Sequence, residues 1–279
     1  MKKYIERCIE ETSHYGFKRK NKTFVRVVND VMQNFVAEKI PSKAFRVNFS
    51  INPLCSRIEK DCIQMGMYWC ELRRFELPEL SSVGLLAHVP PLDAWEYDLN
   101  AKESMDACVE NIINCLKNHL IPFFERANSC ETALPELLKL AKLFNENRKL
   151  CLGKCGVEDM SNFDEELTFL DAAKYYAALK IRDWDFALKC RKALLQQNID
   201  SYNSFLANKC KFEDLVENGQ LTKEDKIAWE ESRTRRESEI ARLKYEVGKL
   251  EQHDEEYIQK LIRENEVISL DNLRKAKII

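Results

Sequence analysis

Apolar and polar side chains alternate along residues 45–52, where the odd positions are apolar and the even positions are polar. A period of two predicts a β-strand with one apolar and one polar face. Two β-prone runs, Thr23 to Val28 and Val31 to Ile40, flank an Asn-Asp dipeptide, which predicts a hairpin. A fourth strand is predicted from Cys62 to Phe75.

Helical periodicity brackets these strands. Ile5, Cys8 and Ile9 follow the spacing of one helix face, and a second helix is predicted from Lys102 to Leu120. The order is therefore helix, four strands, helix. We expect an α+β fold in which an antiparallel four-stranded sheet is flanked by helices.

The second half of the chain predicts an all-α helical bundle that ends in a long charged helix. It has no proline after Pro135 and is rich in residues that favour helices. We therefore predict an α+β domain over 1–128 and a helical domain over 129–279. The predicted helices are Leu134 to Asn145, Asp164 to Ile181, Trp184 to Gln197, Asp200 to Val216, and a last one from Thr222 to about 264.

The last helix carries a short apolar stripe. Ile240, Leu243, Val247 and Leu250 occupy a and d positions of a heptad pattern over about two heptads. Two interpretations stay open. The stripe forms a dimer seam, or the helix packs on its own domain and the protein is a monomer.

Composition restricts the class of protein. The 279 residues are 45% apolar, and 44 basic residues nearly balance 46 acidic ones for a net charge of −2. A nucleic-acid coat protein would need a large basic excess, so nucleic acid is not the favoured partner. No apolar run is long enough to span a bilayer, and residues 1–11 are charged throughout, unlike a signal peptide. We expect a cytoplasmic protein with no membrane association.

Eleven irregularly spaced cysteines predict reduced, buried thiols rather than a disulfide scaffold. A zinc site needs four convergent ligands, and only Cys151 and Cys155 form a close pair. No cofactor and no metal are expected.

The polar sheet face is the first candidate binding surface. Arg46 and Asn48 lie on the polar side of the alternating strand, and Trp69, Glu71 and Arg73 share one side of the fourth predicted strand. A Trp flanked by Arg has the composition of a protein-binding hot spot. The alternative is an Arg–Glu ladder across neighbouring strands, with Trp69 turned into the core.

A basic edge is the second candidate surface. It comprises Lys18, Arg19, Lys20 and Lys22, and residues 1–46 hold 11 basic against 5 acidic residues. It either meets phosphates or an acidic partner, or it is a solvated loop between a helix and a strand.

One enzyme-like spacing is present. Asp61, Glu71 and Arg73 mimic the D…E-x-K arrangement of metal-dependent nucleases, in which two carboxylates hold Mg²⁺. Arg stands in place of the Lys and cannot shuttle a proton at neutral pH. No other catalytic motif is found.

Short motifs in residues 1–128 resemble an uncharacterised bacterial family, the domain of unknown function 4304. They are G-F-K-R-K at 16–20, T-F-V-R at 23–26, F-R-V-N-F at 45–49, E-L-R at 71–73, D-A-W at 93–95 and I-P-F-F-E at 121–125. The resemblance implies an α+β fold and a bacterial cytoplasmic origin, but no activity. Glu96 stands where the family usually has a second Trp after the position of Trp95.

These observations predict a non-enzymatic, protein-binding module of a bacterial cytoplasm. Its α+β part would recognise an unknown protein through Arg46, Trp69, Arg73 and Trp95, and its helical part would serve as a scaffold or dimerise. The alternative is a metal-dependent phosphodiesterase that uses Asp61 and Glu71.

Overall fold

The structure is a computed structural model, and it has the α+β fold that the sequence predicts. An antiparallel sheet is followed by helices in chain order. The described residues are 6–7, 10–40, 44–65, 70–71, 95–96, 102–154, 171–208, 212, 215–216, 218, 220 and 222–279. No helix in these ranges is both long and apolar enough to span a membrane.

The sheet is a four-stranded meander with two short additions. Its strands are β1 (Lys18–Lys20), β2 (Thr23–Val28), β3 (Val31–Ile40) and β4 (Ala44–Pro53), and each pairs antiparallel with the next. Strands β5 (Cys70–Glu71) and β6 (Trp95–Glu96) both pair with β4. The predicted Asn-Asp hairpin is confirmed, and Asn29 occupies the left-handed region at φ 50° that such a turn requires.

The fourth predicted strand, Cys62 to Phe75, is wrong over 62–65, because Lys60–Met65 forms the short helix α1, and it is confirmed at Cys70–Glu71, which is extended. The rest of that range lies outside the described residues. A strand that the sequence analysis missed is β1, in the basic run. Asn21, at φ 56°, closes a two-residue turn between Lys20 and Thr23, so that a basic strand pairs with β2.

Helices make up the remaining described elements. They are α2 (Lys102–Cys115), a π-helical stretch (Leu116–Leu120), α3 (Ile121–Arg126), α4 (Cys130–Lys154), α5 (Asp171–Ile181), α6 (Trp184–Ala207), α7 (Lys223–Glu251) and α8 (Glu255–Lys275). The predicted helix Trp184 to Gln197 and the first part of the predicted helix Asp200 to Val216 form one continuous helix, α6, which no proline or glycine interrupts and which ends at Ala207.

The predicted last helix is divided in two at His253. The backbone N–H of His253 donates to Leu250 O at 3.0 Å, and that of Asp254 donates to Lys249 O at 3.0 Å. This is a Schellman motif, with His253 at the left-handed position at φ 51°. The break separates α7 from α8 without a glycine or a proline.

Packing divides the chain differently from composition. Unit 1 comprises Met1–Arg182 and Gln259–Ile279, and unit 2 comprises Asp183–Ile258. The composition change near residue 128 thus falls inside unit 1. The end of the chain belongs to the same unit as the sheet.

Both faces of the sheet in unit 1 are covered. On one face Phe24, Phe35 and Phe49 lie in register, and Phe49 contacts Phe123 and Phe124 of α3. The other face carries Val25 and Met32. They belong to one buried cluster with Leu54, Ile58, Ile63, Leu273, Ala276 and Ile278.

Unit 2 is built on a helical hairpin of α6 and α7. The heptad residues Ile240, Leu243, Val247 and Leu250 are all buried within the chain. This stripe therefore packs within the chain, and the oligomeric state stays a prediction.

Candidate functional site

The polar side of β4 changes from half-buried at Asn48 to interior at Ser50 and Asn52. Ser50 and Asn52 are fully buried, as is Asn34 opposite Ser50 on β3. Ser50 donates a hydrogen bond to Asn34 Oδ1 and accepts one from Asn52 Nδ2 at 2.9 Å. Ser50 and Asn52 therefore belong to no open binding surface, whereas the binding role predicted for Arg46 and Asn48 is not tested by their burial.

The buried polar cluster is incompletely satisfied. Among the described residues, Asn34 Nδ2, Asn48 Oδ1 and Asn52 Oδ1 have no hydrogen-bond partner. Each such buried group costs about 1–3 kcal/mol of folding free energy. The cluster does not present the contiguous exposed surface that a macromolecule would contact.

The remaining predicted site residues are known only by backbone position or not at all. Register places Arg46 and Glu71 on the same sheet face as Asn48, and it places Trp95 on the opposite face, beside Phe45. Trp69 and Arg73 lie outside the described residues. The binding role of these six residues, Asn48 included, stays a prediction.

The alternative metal site gains no support from the geometry. Asp61 lies exposed in the first turn of α1, not on a strand beside Glu71. The part of the chain that the structure describes holds no group of three His, Cys, Asp or Glu side chains that could bind a metal ion. The phosphodiesterase hypothesis remains a prediction.

Lys18, Arg19 and Lys20 of the basic edge form strand β1, and Lys22 lies in the turn that follows it. Lys18, Arg19 and Lys22 are exposed, and Lys20 is half-buried. Arg19 Nε donates to Asn21 O at 2.7 Å, which supports the turn. Lys20 Nζ donates to the carbonyl oxygen of Ala276 at 3.4 Å.

Two cysteines in unit 1 form a buried pair. Cys55 follows β4, Cys130 begins α4, and both are free, buried thiols. A hydrogen bond with Cys55, followed by burial, raises the pKa of the Cys130 thiol. Cys130 therefore stays protonated and unreactive at neutral pH. Cys155, one of the two candidate zinc ligands, lies outside the described residues.

Unit 2 carries an aromatic–arginine cluster that the sequence analysis missed. We define it as Tyr202, Phe205, Phe212, Trp229, Arg233 and Arg236, all half-buried. Trp229 stacks on Phe205 with ring centroids 4.7 Å apart and on Phe212 at 5.5 Å. Tyr202 continues the stack beyond Phe205 at 6.4 Å.

The two arginines lie over the rings of this stack. The guanidinium of Arg236 is 4.9 Å from the Phe205 centroid, and Arg236 Nη1 donates to Ser201 Oγ at 2.9 Å. Arg233 lies 6.0 Å from the centroid of Trp229 and pairs with Glu230 at 3.0 Å. The guanidinium groups are thus held in place, and each covers apolar ring surface.

A cleft of about 320 Å³ adjoins the cluster between α6 and α7. It is lined by Ile199, Tyr202, Glu237, Ile240, Ala241 and Lys244. The Tyr202 hydroxyl donates to Glu237, and this hydrogen bond raises the pKa of Tyr202. The floor of the cleft is aliphatic, and its rim carries one acid and one base.

Comparison of the chain with protein-family models, curated proteins and solved structures finds no match. The resemblance of the first half to a bacterial family therefore stays a prediction. The function must be argued from the geometry.

Proposed function

We propose that the protein is a non-enzymatic binding module that docks an amphipathic helix of a partner protein in unit 2. The observation that carries the proposal is the half-buried aromatic–arginine cluster beside the α6–α7 cleft. The sheet-containing unit 1 would then serve as the scaffold. The bacterial cytoplasm expected from the sequence remains part of this proposal.

The composition of the cluster favours a protein partner. Trp, Tyr and Arg are the residue types that dominate binding energy at protein interfaces, where they surround pockets that receive apolar anchors. The cleft offers Ile199 and Ile240 to such an anchor. Because it runs between two helices, a helix laid along the groove would insert side chains at helical spacing.

The stacking geometry disfavours nucleic-acid bases as the ligand here. A base needs an open aromatic face to stack on. Trp229 already has Phe205 and Phe212 as stacking partners. The rings of the cluster already stack on one another, so they offer an apolar surface for a partner's side chains and no free ring face for a base.

Site-specific crosslinking tests the proposal with the full chain. A photoreactive amino acid would replace Lys244 at the rim of the cleft, and a bacterial lysate would supply partners. Adducts would be identified by peptide mass spectrometry, and the crosslinked segment would be synthesised for direct titration. We expect an amphipathic helical segment whose affinity falls about tenfold or more with Tyr202→Ala, because a hot-spot residue contributes about 2 kcal/mol.

A matched control is Val267→Ser, which removes an exposed apolar side chain from α8 in unit 1. Its affinity should equal that of the wild type, and circular dichroism should show all variants folded. An adduct whose binding is insensitive to Tyr202→Ala would reject the cleft as the docking site. If nucleic acid were the only molecule crosslinked at Lys244, the proposal that the partner is a protein would be rejected.

A further inference from the structure

The fold brings the basic edge to the end of the last helix. Lys20 and Ala276, whose hydrogen bond links them, are 256 residues apart in the chain. Lys18 is paired with Val25, which packs in one buried cluster with Leu273, Ala276 and Ile278. The β1–β2 hairpin and the end of α8 are therefore neighbours within unit 1.

The end of α8 has a fixed conformation. The backbone N–H of Lys277 donates to Arg274 O at 2.9 Å, and that of Ile278 donates to Leu273 O at 3.0 Å. This is a second Schellman motif, with Lys277 at φ 60° and with Ile278 buried on the sheet. Arg274 and Lys277 are exposed beside the hairpin as a consequence.

The two segments together form a basic surface. Its members are Lys18, Lys20, Lys22, Arg274, Lys275 and Lys277, whereas Arg19 is paired with Phe24 and lies on the other sheet face. Within the described part of the chain only Lys275 has a carboxylate partner among these six, Asp271 at 2.6 Å. Five positive charges thus lie on one surface of a protein whose net charge is −2. A local excess of this kind attracts polyanions whatever the overall charge.

We infer that this basic surface binds the phosphate backbone of nucleic acid, without base readout. Phosphate contacts need positive side chains and no apolar centre, whereas a protein interface has an apolar core. Among the described residues of the surface the large exposed apolar side chain is Ile279, which is 46% exposed. Strand addition is disfavoured because β1 spans three residues and leaves little backbone to pair. The inference goes beyond the proposed function and uses a different unit.

The test is fluorescence anisotropy with the full-length protein and a labelled DNA duplex two helical turns long. Binding would be measured from about 50 mM to about 200 mM salt, because each phosphate contact adds about 0.9 to the slope of log affinity against log salt. Lys18→Glu/Lys22→Glu alters the hairpin, and Arg274→Glu/Lys277→Glu alters the helix end. Each pair should weaken binding and lower the slope by about 2.

Two control variants test whether DNA binding depends on this surface, rather than on the total charge of the protein or on the cleft in unit 2. Lys139→Glu/Lys260→Glu makes the same change of charge at exposed positions elsewhere in unit 1, and Tyr202→Ala alters the cleft. Both should bind DNA as the wild type does. The DNA-binding result therefore does not depend on whether the cleft in unit 2 binds a partner helix.

Three outcomes would overturn the inference. The first is no binding at about 50 mM salt, where backbone contacts are strongest. The second is an effect of only one charge-reversal pair, which would mean that the hairpin and the helix end do not act as one surface. The third is binding of polyglutamate but not DNA, which would assign the surface to an acidic protein.

Discussion

The hydroxyl of Ser269 donates a hydrogen bond to the carbonyl oxygen of Leu54 at 2.6 Å, although the two residues are 215 positions apart. The same hydroxyl accepts a hydrogen bond from the backbone N–H of Ile58 at 2.7 Å. Asn265 and Asn272, one turn to either side on α8, donate to the carbonyl oxygens of Cys55 and Ile58. A polar stripe of α8 thus provides hydrogen-bond partners for the 3₁₀ helix Leu54–Ser56, which follows β4, and for Ile58 beyond it.

Replacing Ser269 by alanine should destabilise the protein by about 1–3 kcal/mol, because a buried carbonyl and a buried N–H lose their partner. Urea unfolding followed by circular dichroism measures this free energy. The control is Ser238→Ala on an exposed position of α7, which should change stability by less than about 0.5 kcal/mol. A Ser269→Ala protein as stable as the control would mean that the bridge contributes nothing.

The polar stripe of α8 explains why the sequence analysis assigned the end of the chain to the helical half. The residues of α8 that unit 1 buries include Ile262, Asn265, Ser269 and Leu273. Two of these four are polar, so an apolar periodicity does not mark the face. Their partners are backbone groups about 210 positions away, and no local pattern contains that information.

The meander was predictable for the opposite reason. Strand β4 alternates strictly, and the Asn-Asp turn sets its neighbours' register locally. The aromatic–arginine cluster was only partly predictable: Phe205 and Phe212 are seven residues apart in a predicted helix, but no local pattern connects them to Trp229. Burial of the polar side of β4 depends likewise on elements distant in sequence.

His253 is the residue that ends α7, and its substitution tests the break. A non-glycine residue pays a steric cost in the left-handed conformation, whereas glycine does not. His253→Gly should therefore raise the free energy of unfolding by up to about 1 kcal/mol. Val at this position should lower it, because β-branched residues tolerate that conformation worst. Equal stability of the Gly and Val variants would show that the turn does not persist in solution.

Glu136 on α4 should make stability depend on acid pH. Burial alone would raise the pKa of Glu136, but hydrogen bonds from Lys139 and Arg126 outweigh it and hold the pKa below its ordinary value. A lowered folded-state pKa gives stability that is present above the ordinary Glu pKa of about 4.3 and is lost as the pH falls through the folded value.

Carbon-detected NMR titration of the Glu136 carboxyl measures this pKa directly. Arg126→Met/Lys139→Met should move it upward, since the hydrogen bonds are lost and the burial remains. In parallel, Glu136→Gln should flatten the acid side of the stability profile. An unchanged titration in the double variant would contradict the assignment of the shift to these two partners.

Calorimetric titration with Mg²⁺ and Mn²⁺ distinguishes the proposed binding module from a metal-dependent phosphodiesterase. We expect no saturable heat, and Asp61→Ala and Glu71→Ala should match the wild type. Two carboxylates that held a catalytic cation would give a binding isotherm that Glu71→Ala abolishes. Such a result would favour the phosphodiesterase hypothesis over the proposed binding module.

Arg191 and Glu246 form a buried ion pair between α6 and α7, with 7% of each side chain exposed and an N–O distance of 2.8 Å. Glu246 also pairs with Arg242, so removing Arg191 still leaves this buried carboxylate with a partner, and the loss should stay below the about 3–5 kcal/mol of a fully broken buried pair. Arg191→Met and Glu246→Leu should each be destabilising, and the double variant should recover part of the loss. Urea unfolding of the four proteins gives the coupling free energy.

The neighbouring pair Lys192 and Glu251 joins the same two helices but is about half exposed, at 53% and 49%. Its own double-mutant cycle should give a coupling of at most about 1 kcal/mol, because solvent screens the pair. Burial is the variable that differs between the two cycles. Equal coupling free energies for the two pairs would therefore mean that water reaches Arg191 as readily as it reaches Lys192 at the edge of the α6–α7 interface. The hairpin would then be more loosely packed than the burial of its heptad residues indicates.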